Sequence, residues 1–241
     1  MSEKTKKPKK TKSDHHSSED NLILTYANLT PIKLTHKQKE LINMINNNKI
    51  TFIQGPAGTS KTFTMCLAAL QLLIENKIHK IILCKPIQES GENLGFLPGS
   101  IKEKVDPYME SYLDNFLEIL RYDRKKLDFL LESGYIEIKP LAYMRGKTFK
   151  NSLMLLDEAQ NCVEKQLILF ITRMGSGSKV VCAGDVSQYD IQKNKVFLPK
   201  FTSKVKEKNI EEIGFFDFEA SDILRDKILI QLVDIYEENF K

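Results

Sequence analysis

Between Thr51 and Met65 the chain reads TFIQGPAGTSKTFTM. A short apolar run, ITFIQ, meets a glycine-bearing turn that opens directly into a long helical pattern, TFTMCLAALQLLIENK. Strand, tight loop and helix in that order let successive backbone N–H groups curl inward on phosphate oxygens, and the helix N-terminus adds partial positive charge. Gly55, Pro56, Ala57, Gly58, Thr59, Ser60, Lys61 and Thr62 follow the pattern G-x-x-x-x-G-K-[ST] with one departure, Ser60 at the second glycine. Lys61 is placed to reach β- and γ-phosphates, and Thr62 to offer its hydroxyl to Mg²⁺. A serine Cβ disfavours positive φ by roughly 1 kcal/mol or somewhat more. Near helical φ the cost falls to a few tenths. The cradle is therefore expected to keep its ligand, with a weaker grip.

Such a loop works only with acids facing it. The run LMLLDEAQN delivers Asp157 to the carboxyl end of an apolar strand, where open α/β sheets bind ligands. Asp157 can hold Mg²⁺ through water, and Glu158 can orient or deprotonate an attacking water. A third stretch, VVCAGDVSQYD, brings Gly184, Asp185 and Gln188 to another strand end, where Gln188 can sense a γ-phosphate.

Around these motifs the chain alternates strands and helices. HKQKELINMINNN carries apolar residues at helical spacing. KIILC, YIEIKP, KVVCAGD and GFFDFE read as strands. EKQLILFITRM and DILRDKILIQLVDIYEE read as helices, and IKEKVDPYMESYLDNFLEILR is helical with a break near Pro107. Nearly continuous apolar strands between helices predict an α/β fold with a mainly parallel sheet covered on both faces. Residues 1–20 are lysine-rich and then Ser/Asp/Glu-rich, too poor in apolar surface to offset ordering entropy, and read as a disordered tail. Residues 21–241 form the expected domain. Net charge is only +4, which does not by itself announce a polyanion partner. The four cysteines make no C-x-x-C pair and fit buried thiols in a reducing cytoplasm. No apolar run nears the roughly 18 residues of a membrane span, and the N-terminus lacks a secretory core, so the expected site is cytoplasmic and off the membrane. Lysine-, asparagine- and isoleucine-rich composition fits an AT-rich genome; were that genome viral, the compartment would be the host's cytoplasm.

Taken together, FIQGPAGTSKT, KPIQESGENLGFLPGSIKEKVDPY, PLAYMRGKTFKNSLMLLDEAQN, RMGSGSKVVCAGDVSQYD and SDILRDKILIQLVDIYE resemble, in order, the blocks of the PhoH family of P-loop ATPases, relatives of superfamily 1 helicases. The resemblance covers about Leu34 to Tyr236, with Lys85 standing where the family pattern has arginine. It implies a P-loop NTPase built as a single RecA-like domain that hydrolyses ATP with Mg²⁺ and acts on RNA or single-stranded nucleic acid. It also implies that Gln38 matches an adenine-contacting glutamine, which nothing else in the sequence singles out. Superfamily 1 helicases draw arginines from a second RecA-like domain, for which this chain has no room. Arg173 or Arg225 of a neighbouring copy is the expected donor, which implies a homo-oligomer with a hexameric ring in view. Lys102, Lys104, Arg145, Lys147 and Lys150, interleaved with Tyr143 and Phe149, are the expected nucleic-acid surface: lysines neutralise phosphates and rings stack on bases. Two other readings stay open, a regulatory nucleotide-binding module with weak turnover and a P-loop small-molecule kinase.

Overall fold

The computed structural model describes residues 24–86 and 101–224, together with Ile228 and Ile235; for residues 101–108 it describes the backbone alone. The expected tail, Arg225 and almost all of the expected carboxyl-terminal helix lie outside the described residues. Six strands run as β1 Ile50–Gln54, β2 Lys80–Cys84, β3 Ile136–Ile138, β4 Ser152–Leu156, β5 Lys179–Gly184 and β6 Ile213–Asp217. They form one sheet in the order β3-β2-β4-β5-β1-β6, every pairing parallel. Six helices cover it: α1 His36–Asn47, α2 Lys61–Ile74, α3 Ile101–Ile119, α4 Arg124–Glu132, α5 Glu164–Ile171 and α6 Leu198–Glu207. This is the parallel α/β architecture expected from the strand pattern, and the RecA-like fold that the family resemblance implies.

The inner strands β1, β2, β4 and β5 read as apolar runs because each feeds two cores. Along β4, Leu153 and Leu155 enter a core closed by α1, α2, α3 and α4. Met154 and Leu156 enter a second core closed by α5, α6 and the turn at Leu141 to Met144. All five β4 residues are therefore buried, as a central strand between two helical layers requires. Thr35 and Gln38 close the start of α1 reciprocally: the Gln38 N–H donates to Thr35 Oγ1 at 3.2 Å, and the Thr35 N–H to Gln38 Oε1 at 2.9 Å.

Three differences from the sequence reading have physical causes. α3 runs through Pro107 without a break; proline costs one early backbone bond, and burial of Met109, Tyr112 and Phe116 on one face of the helix outweighs it. α4 was not expected: it is capped by the Asp123 carboxylate, which accepts from the Lys126 N–H, and it buries Leu127 and Leu130. α6 was not expected either: its lysines face outward and only Leu198 and Thr202 are buried, too thin a stripe to stand out. Among the described residues no helix is long and apolar enough to cross a membrane.

Candidate active site

Parallel strands bring all their carboxyl ends to one edge, and there the loop from Gly55 to Ser60 joins β1 to α2. Gly55 has φ +151°, and a Cβ on it would sit 2.5 Å from the Phe218 Cβ and 2.9 Å from the Phe218 carbonyl. Only glycine lets the segment after β6 pass so close, where the Phe218 N–H donates to the Gln54 carbonyl. The same segment reaches the loop again through the Leu224 N–H, bonded to the Gly58 carbonyl at 3.0 Å. Thr59 is buried, its hydroxyl turned back to the Pro56 carbonyl. Ser60 sits in the left-handed region at φ 62°, ψ 31°, with no side-chain bond to the helix it precedes. Of the two geometries considered for Ser60, this is the costly one. Lys61 folds under the loop and donates to the carbonyls of Gly55 at 2.7 Å and Pro56 at 2.8 Å.

Facing the loop, Asp157 directly follows β4 and is buried; its Oδ2 accepts from the Thr62 hydroxyl at 2.8 Å. Glu158 follows in the left-handed region at φ 55°, which turns it away from the direction of Asp157. Its carboxylate accepts from Gln160 Nε2 at 2.7 Å. The other end of that buried amide, Gln160 Oε1, accepts from the Asp185 N–H at 3.0 Å. Gly184 makes the approach possible, since a Cβ there would lie 2.6 Å from Gln160 Oε1. Asp185 Oδ2 in turn accepts from the Ala57 N–H at 3.1 Å. A continuous polar chain thus links Glu158, Gln160, Asp185 and the phosphate loop.

These groups open on one cleft of about 1270 Å³. Gln38, Ala57, Gly58, Ser60, Lys61 and Thr62 line it, as do Asp157, Glu158 and Gln188. Gly55, Pro56 and Thr59 shape the loop from behind. Gln38 Oε1 is engaged by the helix cap, which leaves its amide NH₂ as the group able to donate to a ring. The donors offered for Mg²⁺ are hard oxygens, a hydroxyl and a carboxylate side by side. Among the described residues no group of three or more His, Cys, Asp or Glu could cage a metal. The hydroxyl and carboxylate oxygens suit an ion that keeps waters and is shared with phosphate oxygens.

Sequence reasoning marked Lys85 only as a departure from the family's arginine, and it missed Gln160 and the loop-holding part of Asp185. Lys85 ends up 4.0 Å from Asp157 Oδ2. The four cysteines are buried thiols, as expected; burial alone pushes the Cys162 thiol up to about 12, far from a thiolate nucleophile.

Other expected residues lie elsewhere. Arg173 precedes β5, and its carbonyl accepts from the Phe149 N–H ahead of β4. It therefore sits at the amino-terminal edge of the sheet, opposite the cleft, half-buried and with no partner for Nε among the described residues. Tyr143, Arg145, Lys147 and Lys150 are exposed on the β3–β4 connection. Phe149 is half-buried against the second core, so it is packing rather than an open stacking ring. Lys102 and Lys104 belong to the first turns of α3, where side chains lie outside the described set.

Comparison with known proteins converges on one family. The family described as PhoH-like protein matches residues 32–237. The PhoH-like protein of Bacillus subtilis (strain 168) is 40% identical over 204 residues, 85% of this chain and 63% of that one. That of Synechocystis sp. is 38% identical over 208 residues, 85% of this chain and 62% of its own. Protein PhoH of Escherichia coli (strain K12) is 37% identical over 154 residues, 64% of this chain and 44% of that one. The chain thus spans less than two thirds of each of these relatives. Among solved structures, the large terminase from a thermophilic bacteriophage superposes with a TM-score of 0.55 at 13% identity, over 87% of this chain and 51% of that one. That is a likeness of fold.

Proposed function

The chain belongs to the PhoH-like family, and from that premise we propose that it is a Mg²⁺-dependent ATP hydrolase whose turnover is coupled to RNA or single-stranded nucleic acid. One observation carries the reading: the Thr62 hydroxyl and the Asp157 carboxylate, from the two sides of a P-loop cleft, meet at 2.8 Å. Hydrolysis of a phosphoanhydride is mostly positioning and charge stabilisation. Loop amides and Lys61 hold the phosphates, and Gln38 meets the base. Thr62 and Asp157 would hold Mg²⁺, which screens phosphate charge when bound. Glu158, held by Gln160, orients the attacking water and takes its proton. Gln188, at the β5 end, reports the terminal phosphate to its own loop.

Charge at the open side of the cleft is assigned to an arginine of a neighbouring copy in a ring. Arg173 suits that task because it stands on the edge of the sheet away from its own cleft; Arg225 remains the alternative donor. The nucleic-acid surface is assigned to Tyr143, Arg145, Lys147 and Lys150, with Lys102 and Lys104 as its extension.

The test is the rate of phosphate release by the wild type and by Lys61→Ala, each with and without single-stranded RNA. We expect Mg²⁺-dependent release that RNA stimulates, and at least a hundredfold loss in the variant, since Lys61 is the cation beneath the phosphates. Wild-type rates in Lys61→Ala would end the reading. Tight binding without release would point instead to a regulatory module, and a phosphorylated small product to a kinase.

A further inference from the structure

The cleft is rich in negative charge. Asp157, Glu158 and Asp185 surround the place where a triphosphate would bring more. Among the described residues, the cationic side chains lining it are Lys33, Lys61 and Lys85. Lys33 precedes α1 on the wall shared with Gln38, and Lys61 lies under the loop. Lys85 comes from the remaining wall, directly after β2. Its ammonium stands 4.0 Å from Asp157 Oδ2, the oxygen to which the Thr62 hydroxyl is bonded. From α3, Ser111 Oγ accepts from the same ammonium at 2.9 Å. The Lys85 side chain is 16% exposed and Asp157 only 5%. A solvated surface lysine is not held from two sides in this way, and a largely buried cation acts with less screening than a surface pair.

We propose that Lys85 is a second phosphate-facing cation of the site, acting from its own subunit on the terminal phosphate of the bound nucleotide. The proposal rests on the nucleotide reading above. β2 and β4 are neighbours, so Lys85 approaches from the Asp157 side, whereas Lys61 approaches from beneath the loop. Without nucleotide, the Asp157 carboxylate balances the Lys85 charge and Ser111 fixes its reach. A compact ammonium serves as a point charge, and a guanidinium can replace that charge though not the same geometry.

The test is calorimetric binding of MgADP and of a nonhydrolysable Mg-ATP analogue to wild type, Lys85→Ala, Lys85→Arg and Lys61→Ala. Lys85→Ala should lose tenfold or more of its affinity for the analogue, the scale of one charge-assisted bond, and keep its ADP affinity within about twofold. Lys85→Arg should recover part of the loss, and thermal melts of the nucleotide-free variants check that each is folded. Equal losses for both nucleotides, or no loss, would overturn the assignment while the Lys61→Ala result left the nucleotide site standing. A wild type that binds neither nucleotide would overturn both.

Discussion

Ser60 carries a Cβ into the left-handed region at φ 62° with no hydrogen bond from its hydroxyl to α2 in return. That strain is worth roughly 1–2 kcal/mol for an L-residue. Glycine would relieve it but adds about 0.4–1 kcal/mol of unfolded-chain entropy. Ser60→Gly should therefore be more stable by up to about 1 kcal/mol, seen as a melting temperature raised by ~2–4 °C; a lowered melting temperature would contradict the assigned geometry. At this scale the loop residues were readable because Gly55 to Thr62 form one contiguous signature. Lys85 and Gln160 were not. Lys85 matters through Ser111 and Asp157, both remote in sequence, and Gln160 by joining its near neighbour Glu158 to the remote Asp185. Gln38 entered through family resemblance alone, since a glutamine at a helix start has no local mark of a ligand contact.

Among the elements, β3 shows how an edge strand is held by charge. Partial burial pushes the Glu137 carboxyl up, but hydrogen bonds from Lys139 and Lys80 outweigh it and hold the group below the usual glutamate range. A carboxyl depressed by folding contributes stability above its unfolded value, about 4.3, and loses it as pH falls through the folded value. Glu137→Gln should thus cost about 0.5 kcal/mol at neutral pH, the scale of a partly exposed pair. The difference from wild type should close as melts are taken below about pH 4. A gap that stayed constant with pH would rule out the ion pairs as its source. The strands themselves were legible because burial on both faces leaves unbroken apolar runs; β4, SLMLL, is the clearest. α6 was hidden by its lysines, and the continuity of α3 by a proline whose local cost is overridden by packing that a local pattern does not contain.

Over the whole molecule, the cleft and the basic surface proposed for nucleic acid divide between the two edges of the sheet. The carboxyl ends of β1, β4 and β5 hold the cleft, and the β3–β4 connection carries the exposed Arg145, Lys147 and Lys150 across to the amino end of β4. If that connection binds single strands, log affinity should fall linearly with log salt, and Lys147→Ala should make the slope shallower by about 0.7 for each phosphate left unneutralised. Salt-insensitive binding would exclude an electrostatic surface there. Tyr143 is the exposed ring available for stacking, since Phe149 is committed to the second core. Their difference was invisible in the sequence, because whether a ring next to a strand points outward or inward is settled by the opposite layer.

The pairing of β1 has a kinetic side. Ile50 lies beside Val180 on one flank and Ile213 on the other. No sequence-local hairpin can seed the centre of this sheet, and such wide loop closure belongs to chains that fold slowly. The phosphate loop leaves the ribosome well before the strands that shape it. Nucleotide bound as proposed would therefore stabilise only the finished fold, by mass action, and leave half-made chains unaided.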